Sequence, residues 1–441
     1  MTEDSAVTAP AARSISGVDA WEVLDSRGRP TVAAEVRLAS GARAVASAPA
    51  GASLGSHEAA ELRDGGDRYA GRGVRTAVQN VRTVLAAAVT GLDAADQEQV
   101  DAALLAADGT PELSRLGANA VLAVSVATAI AAAAGTGVPL HEWVAGPDTP
   151  TVPLPMVNIV SGGAHAGGAV DIQDVLTVPI GARSFAEAME IAVAVRAGTA
   201  EVARTVTAPA GRQVVGLVAD EGGLGLPLAS NRDAIELVVR GIERAGLQAG
   251  RDAAIAIDVA ATQLFRDGRY VLAAEGRELA AADWVAEIAG WVADFPIVSV
   301  EDPCADDDWY AWALASKALT GIQVLGDDLF VTNQDRLERG IATGVGNAIL
   351  VKPNQNGTLS GTRQVLRRAR QAGFATVLSA RSGETEEAWL ADLAVGWNAG
   401  QIKVGSTTRS ERTAKWNRLL AIEHQLGAGL YAGPGALGTG G

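Results

Sequence analysis

Cysteine is nearly absent from this 441-residue sequence: Cys304 stands alone. That excludes an intramolecular disulfide framework and a cysteine-based zinc cage, and it fits a reducing, cytoplasmic setting. Histidine is scarce as well, limited to His57, His141, His165 and His424. Positive charge is in short supply, with 36 Lys and Arg against 51 Asp and Glu and a formal net charge of -15. Such a chain repels phosphate backbones and anionic lipid at long range, so neither nucleic acid nor a membrane is expected as a partner. A small anionic substrate stays compatible, because local cations or a bound metal can reverse the field inside a cleft.

Long hydrophobic runs are missing too. The N-terminus, MTEDSAVTAPAARS, carries early acids and lacks the apolar core of about 7 to 15 residues that an export signal needs. The most apolar stretch, 118–138, is mostly alanine, contains Asn119, Ser125 and Thr128, and has no basic flanks, so it reads as a buried helix rather than a membrane span.

What the chain does have is 48% hydrophobic residues, enough to bury a large core, and a length that suggests two unequal domains. Residues 14–47 alternate between turn formers and read as an antiparallel meander. The segment PAGASLG, 49–55, reads as a loop that closes over something, and 57–135 as several helical segments. A proline-rich stretch, 146–155, marks a boundary. The expected organisation is a flexible tail over 1–13, an α+β domain over 14–148, a barrel domain over 149–430, and a loose glycine-rich tail over 431–441.

Within the second domain, short apolar runs alternate with amphipathic stretches such as 229–246 and 333–340, and the runs end at polar residues: Asp258, Glu301, Asp327, Lys352 and Arg381, with Lys403 in QIKVG. Repeated strand-then-helix units predict a parallel sheet closed into a TIM-like (β/α)8 barrel, where strand C-termini converge on one face. A single acid there would simply cap a helix or pair with a lysine. Three in successive units, Asp258, Glu301 and Asp327, predict a site for a hard cation, and oxygen ligands without histidine or thiolate favour magnesium over zinc. Lys352 and Lys403 in the same mouth could each hold an anion or, if deprotonated, abstract a proton. A lysine between divalent cations and another ammonium is expected to have its pKa lowered towards neutrality.

The motifs LDSRGRPTV, PAGASLGSHEA, ELRDGG, GGAHAG, DEGG, SVEDP, GDDLFVTN, KPNQNGTLS, RSGETEE, GQIKVGS and RSERTAKWN run in the order found in enolase, and the chain resembles that family over nearly its whole length. The resemblance implies an enolase-like α/β architecture, an N-terminal α+β domain and a C-terminal barrel, in a homodimer. It implies a hydro-lyase with two Mg²⁺ ions per site, one held by Asp258, Glu301 and Asp327 and one, delivered with substrate, by Ser53. By the same resemblance Lys352 is the base that removes the α-proton, and Glu221 the acid at the departing hydroxyl, with Asp174 beside it. His165 lies on the phosphate side, Arg381 and Ser382 clamp the phosphate, and Lys403 stabilises the dianionic intermediate.

The chain also departs from the family. Ala380 stands where the family has a histidine before the arginine clamp, and Asp174 where it has glutamate, a carboxylate shorter by roughly 1 to 1.5 Å. Gly168 and Asn356 replace asparagine and isoleucine in neighbouring loops. These changes predict an enlarged pocket on the leaving-group and phosphate side, as in a paralogue resembling carboxyphosphonoenolpyruvate synthase, which acts on a bulkier carboxyphosphono relative of 2-phosphoglycerate in phosphonate antibiotic biosynthesis. Two other readings stand beside it: an ordinary glycolytic enolase that tolerates Ala380, and a non-catalytic binding or structural protein.

Overall fold

The computed structural model describes residues 9–51, 55, 57–205 and 217–438. Its N-terminal part is an antiparallel meander of β1 (Ile15–Leu24), β2 (Pro30–Leu38) and β3 (Arg43–Ser47). Asp25 shapes the β1–β2 turn, its Oδ1 accepting from the backbone N–H groups of Arg27 and Arg29 at 2.9 and 2.8 Å while Gly28 takes a φ of +69°. The long helix α1 (Ala118–Thr136) packs across β2 and β3. It is long and apolar enough to cross a membrane by length and composition, yet 83% of its apolar window is buried inside the protein. Apolar on every side, it belongs in a core. Residues 1–8 lie outside the described residues, whereas Ala9–Ala12 form a helical turn and Arg13 pairs with Asp93 at 2.9 Å, so the far end of the expected tail is anchored.

The second part is a closed ring of eight strands: β4 (Leu154–Ser161), β5 (Asp174–Val178), β6 (Ala254–Asp258), β7 (Ile297–Glu301), β8 (Gln323–Gly326), β9 (Ala348–Val351), β10 (Ala375–Ser379) and β11 (Gln401–Gly405). Pairing of β11 with β4 closes it. The expectation of a uniformly parallel sheet is corrected at one strand. β5 runs antiparallel to both neighbours, because residues 162–173 return the chain as a hairpin and no crossover helix separates β4 from β5. Helices α2 (Phe185–Ala203) and α3 (Asn231–Arg244) both follow β5 instead. The reversal brings Asp174, the first residue of β5, level with Ser161 and Asp258, the last residues of β4 and β6.

Helices α2 and α3 begin at Ser184 and Ser230, each with its hydroxyl accepting from a backbone N–H three residues on at 3.1 Å. Side chains such as Met156, Leu176, Leu325, Leu350 and Val377 fill the barrel interior, while Ile159, Val175, Ile257 and Val300 face the surrounding helices. The glycine-rich C-terminus is not loose over its described part. Leu437 is buried with the barrel-interior side chains, and Gln323 and Gln401 donate to the carbonyls of Leu437 and Ala436 at 3.3 and 3.1 Å. Buried side-chain amides and one apolar anchor outweigh the flexibility of the glycines.

Candidate active site

Polar residues far apart in sequence, each at or near the end of a strand, become spatial neighbours at the mouth of the ring. Asp258 and Glu301 end β6 and β7, while Asp327 and Lys352 stand one residue beyond β8 and β9. Lys403 differs: it sits in the middle of β11, level with Ser379, and therefore rises from deeper in the ring. Its Nζ donates to Asp258 Oδ2 at 2.7 Å and to Glu301 Oε2 at 2.6 Å. Lys352 Nζ is bonded to Asp327 Oδ2, whose other oxygen accepts from Gln355 at 3.0 Å.

Among the protein groups alone, the facing carboxylates set the state of both lysines. Burial pulls Lys352 and Lys403 down, but the facing carboxylates, Asp327 for the first and Asp258 with Glu301 for the second, hold both above the ordinary lysine value. The carboxylates answer unevenly. Burial raises Asp327, yet the Lys352 charge brings it below the usual range, while burial and the Asp258 charge push Glu301 well up. Asp328 is pushed up to about 7, by burial and then by Asp327.

On the other side of the mouth, the short hairpin of Leu217–Val218 and Leu224–Gly225 carries Glu221 in its turn. Glycine is required beside it: Gly222 has a φ of +87°, and a Cβ there would lie 2.5 Å from the Thr408 carbonyl oxygen. His165 Nδ1 lies 2.9 Å from Asp174 Oδ2, and its Nε2 lies 3.8 Å from Glu221 Oε1. Asp174 Oδ1 accepts from Asn158 and, at 2.9 Å, from Ser161. Burial alone would lower the His165 pKa, but the Asp174 and Glu221 charges raise it to about 9. Within the same cluster burial raises Asp174, whereas the His165 charge keeps Glu221 low.

The loop after β10 completes the cavity with Ala380, Arg381 and Ser382. It is pinned from beneath by the fully buried Arg412, which donates to the carbonyl oxygens of Arg381 and Ser382 at 2.6 and 2.5 Å. Arg381 itself donates to Glu58 at 2.9 Å and to Asn354 at 3.3 Å. His165, Glu221, Asp258, Asp327, Lys352, Ala380, Arg381, Ser382 and Lys403 thus line one cavity, with Asp174 and Glu301 directly behind it through His165 and Lys403. Ser53 lies outside the described residues. Asn356 is not in the cavity wall; it donates to the Thr332 carbonyl and accepts from Thr358.

Glu58, Asp302 and Gln173 also line the cavity and escaped the sequence reading, although Glu58 and Asp302 lie inside quoted motifs and Gln173 directly precedes Asp174. Asp302 is held at a φ of +42° and accepts from the backbone N–H groups of Asp327 and Asp328 at 3.0 and 2.7 Å. Gln173 donates to Asp258 Oδ2 at 3.0 Å. A magnesium ion suits these residues: they offer oxygen ligands, Glu301, Asp302 and Asp327 bring carboxylate oxygens within 4.8 Å of one another, and Glu301 Oε1 is buried with no hydrogen-bond partner among the described residues.

Two family models match the chain: "Enolase, N-terminal domain" over residues 15–144 and "Enolase, C-terminal TIM barrel domain" over 149–437. A protein of Acidothermus cellulolyticus named "Enolase" is 49% identical over 424 residues, a span covering 96% of this chain and 97% of that relative.

Proposed function

The chain belongs to the enolase family and is a hydro-lyase of that family, and on this premise we propose that it removes water from 2-phosphoglycerate to give phosphoenolpyruvate. One observation carries the reading: Lys352 and Lys403 rise beside Asp327, Asp258 and Glu301 in a single buried mouth, facing Glu221 across the cavity. A carbon acid activated by a carboxylate needs a base at its α-proton, an acid at its leaving hydroxyl, and positive charge around the dianion formed between these steps.

Asp258, Glu301 and Asp327 would hold Mg²⁺, with Ser53 reserved for a second ion. Bound there, the metal supplies Lewis-acid charge to the substrate carboxylate and makes its α-proton more acidic. Lys352 Nζ would take that proton as the neutral amine, the form that cations placed beside it favour by competing with its own charge. Lys403, mid-strand and beneath the carboxylates, adds its ammonium charge to the dianion. Glu221 delivers a proton to the departing hydroxyl, which leaves as water. Arg381 is the phosphate clamp, with the backbone around Ser382 fixed by Arg412. Asp174 acts at one remove, because both of its oxygens are engaged and one of them orients His165.

A second reading, a bulkier carboxyphosphono substrate, is favoured by Ala380, whose methyl group is part of the cavity wall next to Arg381. A larger phosphono group would fit the space that an imidazole would fill. Purified protein with Mg²⁺ and either substrate decides between them: enolpyruvate formation from 2-phosphoglycerate supports the first reading, and formation only from the analogue supports the second. No dehydration of either would overturn both.

A further inference from the structure

A second cavity of the protein lies outside the barrel mouth. It is a cleft of about 680 Å³ between the two domains, walled by helix α4 (Gln97–Asp108), by Trp143 and Val144, by helix α5 (Leu359–Gln371) and by Trp397. Its volume falls in the range of small-molecule sites. Arg363 and Arg367 of α5 line it, one helical turn apart on the same face. Among the described residues neither forms a hydrogen bond or ion pair, whereas their neighbour Arg368 is tied to Glu338 at 2.6 and 2.8 Å.

Two like charges four residues apart on a helix repel, and the pair stands in a chain whose net charge is -15. Arg363 is half-buried, and burial with the Arg367 charge lowers its pKa against the partly compensating charges of Asp148 and Glu98. Glu98 is the one carboxylate in the wall and pairs with neither arginine. The N-terminal amides of α5 are already used: Leu359, Ser360 and Gly361 donate to Ser125, Asp101 and Thr358. Anion binding therefore falls to the guanidinium groups, which match a phosphate as a two-pronged donor. Trp143, partly exposed, supplies an apolar face in the same cleft, with the largely buried Trp397 contributing an edge of the wall.

We propose that this interdomain cleft binds a planar organic phosphate, with Arg363 and Arg367 on the phosphate and Trp143 against the ring. The site is separate from the barrel mouth, sharing no lining residue with it, so it stands whichever substrate that mouth takes.

Adenosine 5′-monophosphate is the probe, titrated calorimetrically into the full chain with Mg²⁺ and saturating 2-phosphoglycerate, with adenosine and inorganic phosphate as separate arms. The expected result is one saturable site for the nucleotide, at least about 10-fold weaker binding of adenosine and of phosphate, and quenching of tryptophan fluorescence that Trp143→Phe reduces. The doubly substituted Arg363→Gln, Arg367→Gln protein should bind the nucleotide at least about 10-fold more weakly. Both positions are partly or fully exposed and glutamine is a good helix former, so the fold is retained, which circular dichroism verifies. No saturable nucleotide binding, undiminished binding by the double variant, or equal binding of inorganic phosphate would each overturn the proposal.

Discussion

His165 and Asp174 form a buried ion pair, Nδ1 to Oδ2 at 2.9 Å, at the side of the cavity opposite the lysines. Asp174 reaches it only because β5 runs backwards, which turns the first residue of that strand towards the mouth. The pair fixes the imidazole with its Nδ1 towards Asp174 and leaves Nε2 towards Glu221. Burial would raise Glu221, but the His165 charge holds it below the usual carboxylate range, so the state of this group depends on the pair beside it.

The first prediction is a pH dependence. His165 is held to about 9 against an ordinary value near 6.5. A histidine pKa raised by folding contributes stability that is full below about pH 6.5 and is lost as pH rises through about 9. The imidazole carbon resonances should titrate near pH 9 in the wild type and at distinctly lower pH in Asp174→Asn. A wild-type midpoint below 7 would mean that the pair does not hold the proton.

Base and acid should separate experimentally. Lys352→Ala is expected to abolish exchange of the substrate α-proton with D₂O, a loss of about 10²-fold to 10⁴-fold, while Glu221→Gln retains exchange but not dehydration. Proton NMR of the substrate pool measures both. Wild-type exchange in the Lys352 variant would place the base elsewhere.

Asp327→Asn should weaken Mg²⁺ binding by about 10-fold or more, since it removes one anionic oxygen ligand from a site of carboxylates. Calorimetric titration of Mg²⁺ into both proteins checks it. Unchanged affinity would remove Asp327 from the ion.

Ala380→His should raise kcat/KM for 2-phosphoglycerate relative to the carboxyphosphono analogue, because the imidazole refills the wall beside Arg381 and restores a donor near the phosphate. The ratio of the two kcat/KM values in each protein isolates differential transition-state binding. A ratio unchanged by the substitution would separate Ala380 from specificity.

The barrel and most of the site were legible because strand-end acids and lysines recur in phase with apolar runs, a signal local in sequence. Asp258, Glu301, Asp327 and Lys352 need only that periodicity to be found. The reversed β5 was not legible, since a hairpin and a crossover differ in path and not in the apolar character of the strands they join. Glu58 and Asp302 were missed for a related reason: each works through a partner distant in sequence, Glu58 through Arg381 and Asp302 through the amides after β8. The C-terminal anchor was hidden by composition, because a stretch rich in glycine reads as a tail unless the two receiving glutamines are known.

Closure of the ring has a cost in time. Leu154 of β4 meets Gln401 of β11, two points separated by most of the barrel domain. During synthesis the sheet can exist only as an open, twisted ribbon with residues 154–157 of β4 lacking their partner strand until β11 has been made, and long-range pairings of this kind are slow to form. Lys403 lies on that same last strand. Seam and Lys403 therefore arrive together, so a chain cut short of β11 has neither a finished ring nor that ammonium beside Asp258 and Glu301. Function in this protein begins only when its topology is complete.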